Sequence, residues 1–175
     1  GLDLFRAVYQ KLGRLNLVAE DLGVITDDVC ALKDALDLPG MKVFQFHLKD
    51  RADGIRSFDT EPNCIAYTGT HDNNTIRGWY EQELSESEQL HIRRMLDLGD
   101  DVSPEELVRA VIAYTYRRRA ETVIVPMQDL LTLPAAARMN VPGVADGNWQ
   151  WQMTEGQTTF DLARWLAKLC RHSGR

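Results

Sequence analysis

The segment CIAYTGTHDNN, residues 64–74, joins a short apolar run to a cluster of polar side chains. The run CIAYT predicts a buried strand, and His71 and Asp72 follow within a few residues. Three other apolar runs share this arrangement and likewise predict strands: residues 15–19 before Glu20, residues 41–46 before His47, and residues 122–125 before Gln128 and Asp129. The sequence therefore predicts four strands, each with polar groups at its carboxyl end.

Helical patterns separate these runs, which favours parallel pairing because parallel neighbours need crossover connections. The predicted helices cover residues 4–12, 26–36, 90–98, 107–118 and 159–170, and the last two strands are separated by two capping boxes, Ser85 with Glu88 and Ser103 with Glu106. Two architectures fit this alternation: an open doubly wound sheet and part of a β/α barrel. No glycine-rich phosphate loop follows any strand, which weakens the nucleotide-binding version of the open sheet.

Composition excludes several functions. The chain has 175 residues, 44% of them hydrophobic and 26% charged, with a formal net charge of -6, so a globular protein that does not bind nucleic acid is expected. No apolar run approaches the ~20 residues of a membrane span, and the first residues lack the regions of a signal peptide, which together predict a cytoplasmic protein. The three cysteines have no zinc-binding spacing, and we expect neither a metal nor an organic cofactor.

Glu20 and Asp72 follow different strands, so both carboxylates are expected at one edge of the sheet. Glycoside chemistry uses such groups, since an acid must protonate the leaving oxygen and carboxylates stabilise an oxocarbenium-like carbon. His71 is placed to hydrogen-bond sugar hydroxyls. Acidic residues at strand ends also cap helices and turns, so this pattern alone leaves both interpretations open.

Five ordered segments resemble a known family. They are VAEDLGVIT, LPGMKVFQF, YTGTHDNNTIRGWY, VPMQDLLTL and ARMNVPGVADGNWQW. In this order they are similar to the carboxyl-terminal part of 4-α-glucanotransferases, the amylomaltases or disproportionating enzymes of the α-amylase clan. The resemblance runs from about Leu4 to Trp151 and implies an α/β fold, the carboxyl-terminal half of a (β/α)8 TIM-type barrel with insertions. A whole barrel takes ~250 residues and eight strands, so residues 1–175 are expected to form one partial catalytic domain.

The resemblance implies a role for each matching residue. Glu20 corresponds to the general acid/base and Asp72 to the carboxylate that stabilises the transition state, with Asp21 a structural neighbour. The implied substrate-binding residues are His71, Phe46, Asp50, Asn140 and Trp149, of which Phe46 and Asp50 belong to the acceptor side. The implied partners are α-1,4-glucan donors and glucose or maltooligosaccharide acceptors.

One family feature is missing. The family's nucleophile is an aspartate in a motif of arginine, a hydrophobic residue, Asp and His, and this chain has no such motif. A retaining mechanism needs two carboxyls ~5 Å apart, so the chain alone is expected to be inactive. Because half a barrel leaves open strand edges, the chain is also expected to pair with a missing amino-terminal half or with itself. Two other interpretations stay open: a non-catalytic glucan-binding or structural half-barrel, and a related hydrolase or debranching enzyme of the amylase clan.

Overall fold

Three short parallel strands form the only sheet among the residues that the structure, a computed structural model, describes, namely 1–48 and 58–175. The strands are β1 (Gly40–Val43), β2 (Cys64–Tyr67) and β3 (Thr122–Ile124), in the order β1-β2-β3. Gly40 lies opposite Cys64, and Ile65 lies opposite Thr122. The predicted parallel pairing is confirmed.

Helices occupy about half of the remaining described chain. They are α1 (Leu2–Leu12), α2 (Asp27–Ala35), α3 (Ile76–Gln82), α4 (Glu86–Met95), α5 (Pro104–Tyr116), α6 (Met127–Leu130) and α7 (Phe160–His172), with 3-10 helices at Phe44–Leu48 and Ala135–Ala137. Both predicted capping boxes are present, at Ser85 for α4 and at Ser103 for α5. Each serine accepts a backbone N–H while the glutamate three residues on accepts the serine N–H, so two end groups of each helix are satisfied.

The strand predicted for residues 15–19 is wrong. This segment has no strand assignment, and one backbone bond links it to the edge of the sheet, from the Ala19 N–H to the Pro39 carbonyl at 2.8 Å. In a parallel ladder the return bond to Ala19 would come from the Met41 N–H, which instead donates to the Asp21 carboxylate at 2.6 Å, so a reciprocal ladder does not form. The apolar pattern correctly placed residues 15–19 beside the sheet. It did not show that the chain next to them offers few backbone hydrogen bonds.

The second predicted strand is shorter than expected. Residues 41–46 were expected to be extended, whereas β1 ends at Val43 and a 3-10 helix begins at Phe44. The Phe44 ring turns into the core, where it meets Phe58, Trp79 and Tyr114 edge-on with centroid distances of 5.6, 5.9 and 6.1 Å. Burial of this aromatic cluster stabilises the turn over a longer strand.

The core lies between the sheet and the helices that follow β2. The predicted apolar face of α5 is confirmed, because Leu107, Val108, Val111, Ile112 and Thr115 are all buried. Trp79 of α3 is fully buried beside them in the same cluster. These helices hold β2 and β3 rigidly from one face.

The helices at the two ends of the chain pack differently. Helices α1, α2 and α7 contain no buried residue, although α1 and α7 are strongly amphipathic. Leu4 and Leu12 of α1 are each 66% exposed. Within the described ranges, no helix has the length and apolar character required to span a membrane.

Candidate active site

An open cleft of about 460 Å³ lies at the carboxyl ends of the strands. Its polar wall includes Glu20, His71 and Asp72, and its apolar surface comes from Val18, Leu22, Met41, Tyr67, Ile124 and Pro126. Glu20 follows the segment at residues 15–19 beside β1, whereas His71 and Asp72 follow β2. The fold therefore brings both predicted catalytic carboxylates and the predicted sugar-binding histidine to one cleft.

Glu20 and its neighbour Asp21 have different environments. Asp21 accepts the Met41 N–H at 2.6 Å and the Lys33 ammonium at 2.9 Å. Partial burial opposes its ionisation, but these two donors hold the Asp21 pKa below its ordinary value. Any side chain on Gly40 would collide with this carboxylate, because a Cβ there would lie 2.8 Å from the Asp21 Cγ. Asp21 thus fastens the Glu20 segment to β1, while Glu20 is exposed in the cleft.

Tyr67 places an aromatic ring beside Glu20 at the end of β2. Burial, and then the negative charge of Glu20, raise the pKa of the Tyr67 phenol. Sequence inspection missed this residue, because a tyrosine within an apolar strand is typical of core packing.

The loop that carries His71 and Asp72, residues 69–75, is closed by its own polar side chains. The Asn73 Oδ1 accepts the Thr70 N–H at 2.8 Å and the Thr70 hydroxyl at 2.9 Å. The buried Gln45 side chain donates to the Asn74 carbonyl at 2.8 Å. Gly69 is required for this contact, since a Cβ there would lie 2.8 Å from the Gln45 Nε2. The loop is therefore held from its own side and from the turn after β1.

A buried carboxyl fastens both ends of the same loop. Asp129 is only 2% exposed, and it accepts the Thr68 hydroxyl at 2.6 Å and the Ile76 N–H at 2.8 Å. Burial raises the pKa of Asp129 to about 6, although the two hydrogen bonds oppose that rise. The sequence placed Asp129 at a strand end, and the structure gives it a supporting position behind the cleft.

Asp72 has two side-chain neighbours in the site. Its Oδ1 accepts the Asn140 side-chain N–H at 2.5 Å and lies 3.3 Å from the His71 Nε2. The Asn140 backbone N–H donates to the His71 carbonyl at 3.1 Å. Three of the residues predicted from the sequence, His71, Asp72 and Asn140, therefore form one hydrogen-bonded group.

Trp149 is also brought to this group. Its ring lies 5.2 Å from the His71 ring at an interplanar angle of 34°, and the residue is 59% exposed. The backbone adopts a positive φ of 61° at Trp149, and its N–H donates to the Met139 carbonyl at 2.7 Å. An exposed indole held this way offers a flat apolar surface, which suits stacking against a sugar ring.

One described residue among the predicted set, Phe46, is not brought to the cleft. Phe46 lies on the 3-10 helix after β1, and it is absent from the residues that line the cleft. Asp50 lies outside the described residues. In the ranges that the structure describes, no group of three or more His, Cys, Asp or Glu side chains is arranged to hold a metal ion.

Arg138 is the largest omission of the sequence-based prediction. Its guanidinium donates to the Asp72 carbonyl at 2.6 Å and to the Asn140 carbonyl at 2.8 Å, and it lies 3.4 Å from the Glu83 carboxylate. The only available signal was its place in the ARMN segment, two residues before Asn140.

The geometry defines a parallel α/β protein with carboxylates and sugar-compatible polar groups at the carboxyl edge of its sheet. The chain belongs to the 4-alpha-glucanotransferase family, whose model matches residues 1–158.

The 4-alpha-glucanotransferase of Streptococcus pneumoniae serotype 4 is 42% identical over 160 residues, which are 91% of this chain and 31% of that relative. The chloroplastic/amyloplastic 4-alpha-glucanotransferase of Solanum tuberosum is 40% identical over 162 residues, 92% of this chain and 27% of that relative. An amylomaltase from Streptococcus agalactiae, solved in complex with acarbose, aligns with a TM-score of 0.89 and 33% identity over 99% of this chain and 34% of that one. The chain spans about a third or less of the length of these relatives.

Proposed function

We propose that these 175 residues are part of the catalytic domain of a 4-α-glucanotransferase and supply its acid/base and sugar-binding side. The observation that supports this most strongly is the convergence of Glu20, His71 and Asp72 on one open cleft. The donors would be α-1,4-glucans, and the acceptors would be glucose or maltooligosaccharides. The family membership of residues 1–158 supports the same reaction class.

In the proposed reaction Glu20 acts twice. As an acid it gives its proton to the glycosidic oxygen while a carboxylate nucleophile attacks the anomeric carbon, so the C–O bond breaks and a glycosyl ester forms. As a base it then takes the proton of the acceptor 4-hydroxyl, whose oxygen displaces the ester and restores the original anomeric configuration. Its exposed position in the cleft gives both leaving group and acceptor access to the carboxyl.

Asp72 would accept hydrogen bonds from the hydroxyls of the reacting sugar and stabilise positive charge at its anomeric carbon. His71 and Asn140 would bind the same sugar, and Trp149 would stack on a neighbouring ring. We assign Phe46 to the acceptor side on the family resemblance alone.

The nucleophile would come from residues other than these 175. The three-stranded sheet and the segment at residues 15–19 would then be the carboxyl-terminal half of a (β/α)8 barrel. Ile124 on the outer strand β3 is 44% exposed, and α1 presents exposed leucines. Such surfaces support pairing with the remaining half of the domain, or with a second copy when that half is absent.

A chimera tests the proposal directly. Residues 1–158 would replace the matching segment of the Streptococcus pneumoniae enzyme, and the purified chimera would be incubated with maltotriose. We expect glucose and longer maltooligosaccharides, separated by chromatography, from the chimera and none from the 175-residue chain alone. A folded chimera that releases only hydrolysis products would favour the related hydrolase, and one that binds maltotriose without converting it would favour the non-catalytic half-barrel.

Two variants and a control assign the roles. Glu20→Gln and Asp72→Asn are each expected to lower transfer by about 100-fold or more, the loss typical of removing a general acid/base or a charge-stabilising group. Glu155→Gln changes an exposed glutamate outside the cleft and should leave transfer unchanged. Near-normal transfer by Glu20→Gln would remove Glu20 from the acid/base role.

A further inference from the structure

One guanidinium connects the two segments that form the sugar-binding group. Arg138 Nη2 donates to the Asp72 carbonyl at 2.6 Å, and Arg138 Nε donates to the Asn140 carbonyl at 2.8 Å. Because a guanidinium is planar and rigid, two bonds from one fork fix the relative position of both carbonyls. The loop after β2 and the segment before Trp149 are therefore held at a set separation.

Holding these two segments together also orients the Asp72 carboxylate. Its Oδ1 receives the Asn140 side chain at 2.5 Å, and the Asn140 N–H donates to the His71 carbonyl. These two bonds form only when residues 71–72 and residue 140 keep the same relative position. Arg138 fixes that relative position through the backbone without touching the carboxylate itself.

The guanidinium is in turn anchored to the core. Glu83, which caps the carboxyl end of α3, places its Oε1 3.4 Å from Arg138 Nη1 and 3.1 Å from Asn74 Nδ2. Helix α3 is rigidly packed, since a Cβ on Gly78 would lie 2.7 Å from the Ala135 Cα. The position of Arg138 is thus set by α3, whose inner face is buried, and by the segment that packs directly on that helix.

We propose that Arg138 is a positioning residue for the glucan-transfer reaction, which holds the Asp72 carboxylate in the orientation that stabilises the transition state. This inference rests on the proposed function. Lysine at position 138 would keep the positive charge but lose the planar fork, and methionine would keep much of the stem and lose every donor. Both changes leave the Asp72 and Asn140 side chains chemically unaltered while releasing the backbone that orients them.

The first test measures the connection itself in the folded chimera. In Arg138→Met, amide exchange at Asn140 should become about tenfold faster, because the Asn140–His71 backbone bond loses its support. The matched control is Arg77→Met, which removes an arginine that pairs with Glu81 along one face of α3. Unchanged exchange at Asn140 in a folded Arg138→Met chimera would overturn the inference, whatever the transfer activity of that variant.

The second test measures the catalytic effect in the chimera. Arg138→Met should lower kcat on maltotriose by about 10- to 100-fold with a smaller change in KM, as expected from losing one or two charge-assisted hydrogen bonds. Arg138→Lys should recover part of that loss, and Arg77→Met should match the unsubstituted chimera. Full recovery of kcat in the lysine variant would contradict a role for the fork geometry.

A double-mutant cycle separates positioning from general structural support. If Arg138 acts through Asp72, then Asp72→Asn and Asp72→Asn combined with Arg138→Met should differ by about twofold or less. Losses that multiply would overturn the inference. An unsubstituted chimera that fails to rearrange maltotriose would instead refute the proposed function, while the exchange experiment would still decide whether Arg138 holds the two segments together.

Discussion

The buried carboxyl of Asp129 should make the chain less stable as pH rises from about 4 to 7. Its pKa is raised from the ordinary 3.8 to about 6 in the folded protein. Because the folded state binds the proton more tightly than the unfolded state, Asp129 favours folding least when it is ionised. Each pKa unit corresponds to about 1.4 kcal/mol, so the contribution of Asp129 to the free energy of unfolding falls by roughly 3 kcal/mol between about pH 4 and pH 7.

Asp129→Asn isolates this contribution. The amide oxygen can still accept the Ile76 N–H, and the amide nitrogen can donate to the Thr68 hydroxyl, so the neutral side chain keeps both contacts. The free energy of unfolding is measured with urea across pH 4 to 8. The value for the variant should rise relative to that of the native chain as pH rises. We expect that gain to reach about 3 kcal/mol above pH 7 and to be absent below pH 4.

The exposed carboxylate of Asp146 provides the control, since Asp146→Asn should follow the native chain at every pH. A difference between Asp129→Asn and the native chain that stays constant from pH 4 to 8 would refute the reasoning. So would a variant that loses stability relative to the native chain as pH rises.

Two further predictions concern the scaffold of the site. Gly78→Ala should destabilise the chain by about 1–3 kcal/mol, because the new Cβ would lie 2.7 Å from the Ala135 Cα. Gly99→Ala is the control and should cost less than about 1 kcal/mol, because a Cβ there has no atom within 4 Å. Urea unfolding measures both differences. Lys33→Met should lower the free energy of unfolding by about 1–3 kcal/mol near neutral pH, because it leaves Asp21 without its cation. Since the Asp21 pKa is lowered in the folded protein, this destabilisation should shrink as pH falls below about 4. Lys11→Met, at an exposed lysine, is the control for Lys33→Met. A destabilisation by Lys33→Met of equal size at all pH values would contradict the prediction.

Local sequence signals predicted the elements that local interactions decide. The capping boxes at Ser85 and Ser103 are satisfied within four residues, and the apolar face of α5 follows from helical spacing alone. Residues 15–19 failed for the opposite reason, since a strand exists only if a neighbour supplies a ladder, and the Met41 N–H that would complete it donates to the Asp21 carboxylate. The early end of β1 likewise depends on Phe58 and Tyr114, which are distant in sequence.

The site shows the same division. The predicted strand at residues 64–68 correctly indicated that His71 and Asp72 would lie at the carboxyl edge of the sheet, and Glu20 reaches the same cleft although its predicted strand is absent. The roles of Arg138 and Asp129 depend on contacts across 66 and 61 residues of chain, to Asp72 and Thr68 respectively, which no local pattern encodes. Asp50 remains a prediction, because it lies outside the described residues.

The central claim is that Glu20 is the proton carrier of a retaining transfer, and the leaving group of the donor tests it most directly. In the chimera carrying Glu20→Gln, maltotriose cleavage should fall by about 100-fold or more, because the departing sugar oxygen needs a proton. An α-maltosyl fluoride donor needs none, so the variant should still form the glycosyl ester and accumulate it, which intact-protein mass spectrometry would detect as a protein mass increased by one maltosyl group. Equal loss of reaction with both donors, or undiminished cleavage of maltotriose, would contradict the assignment of Glu20.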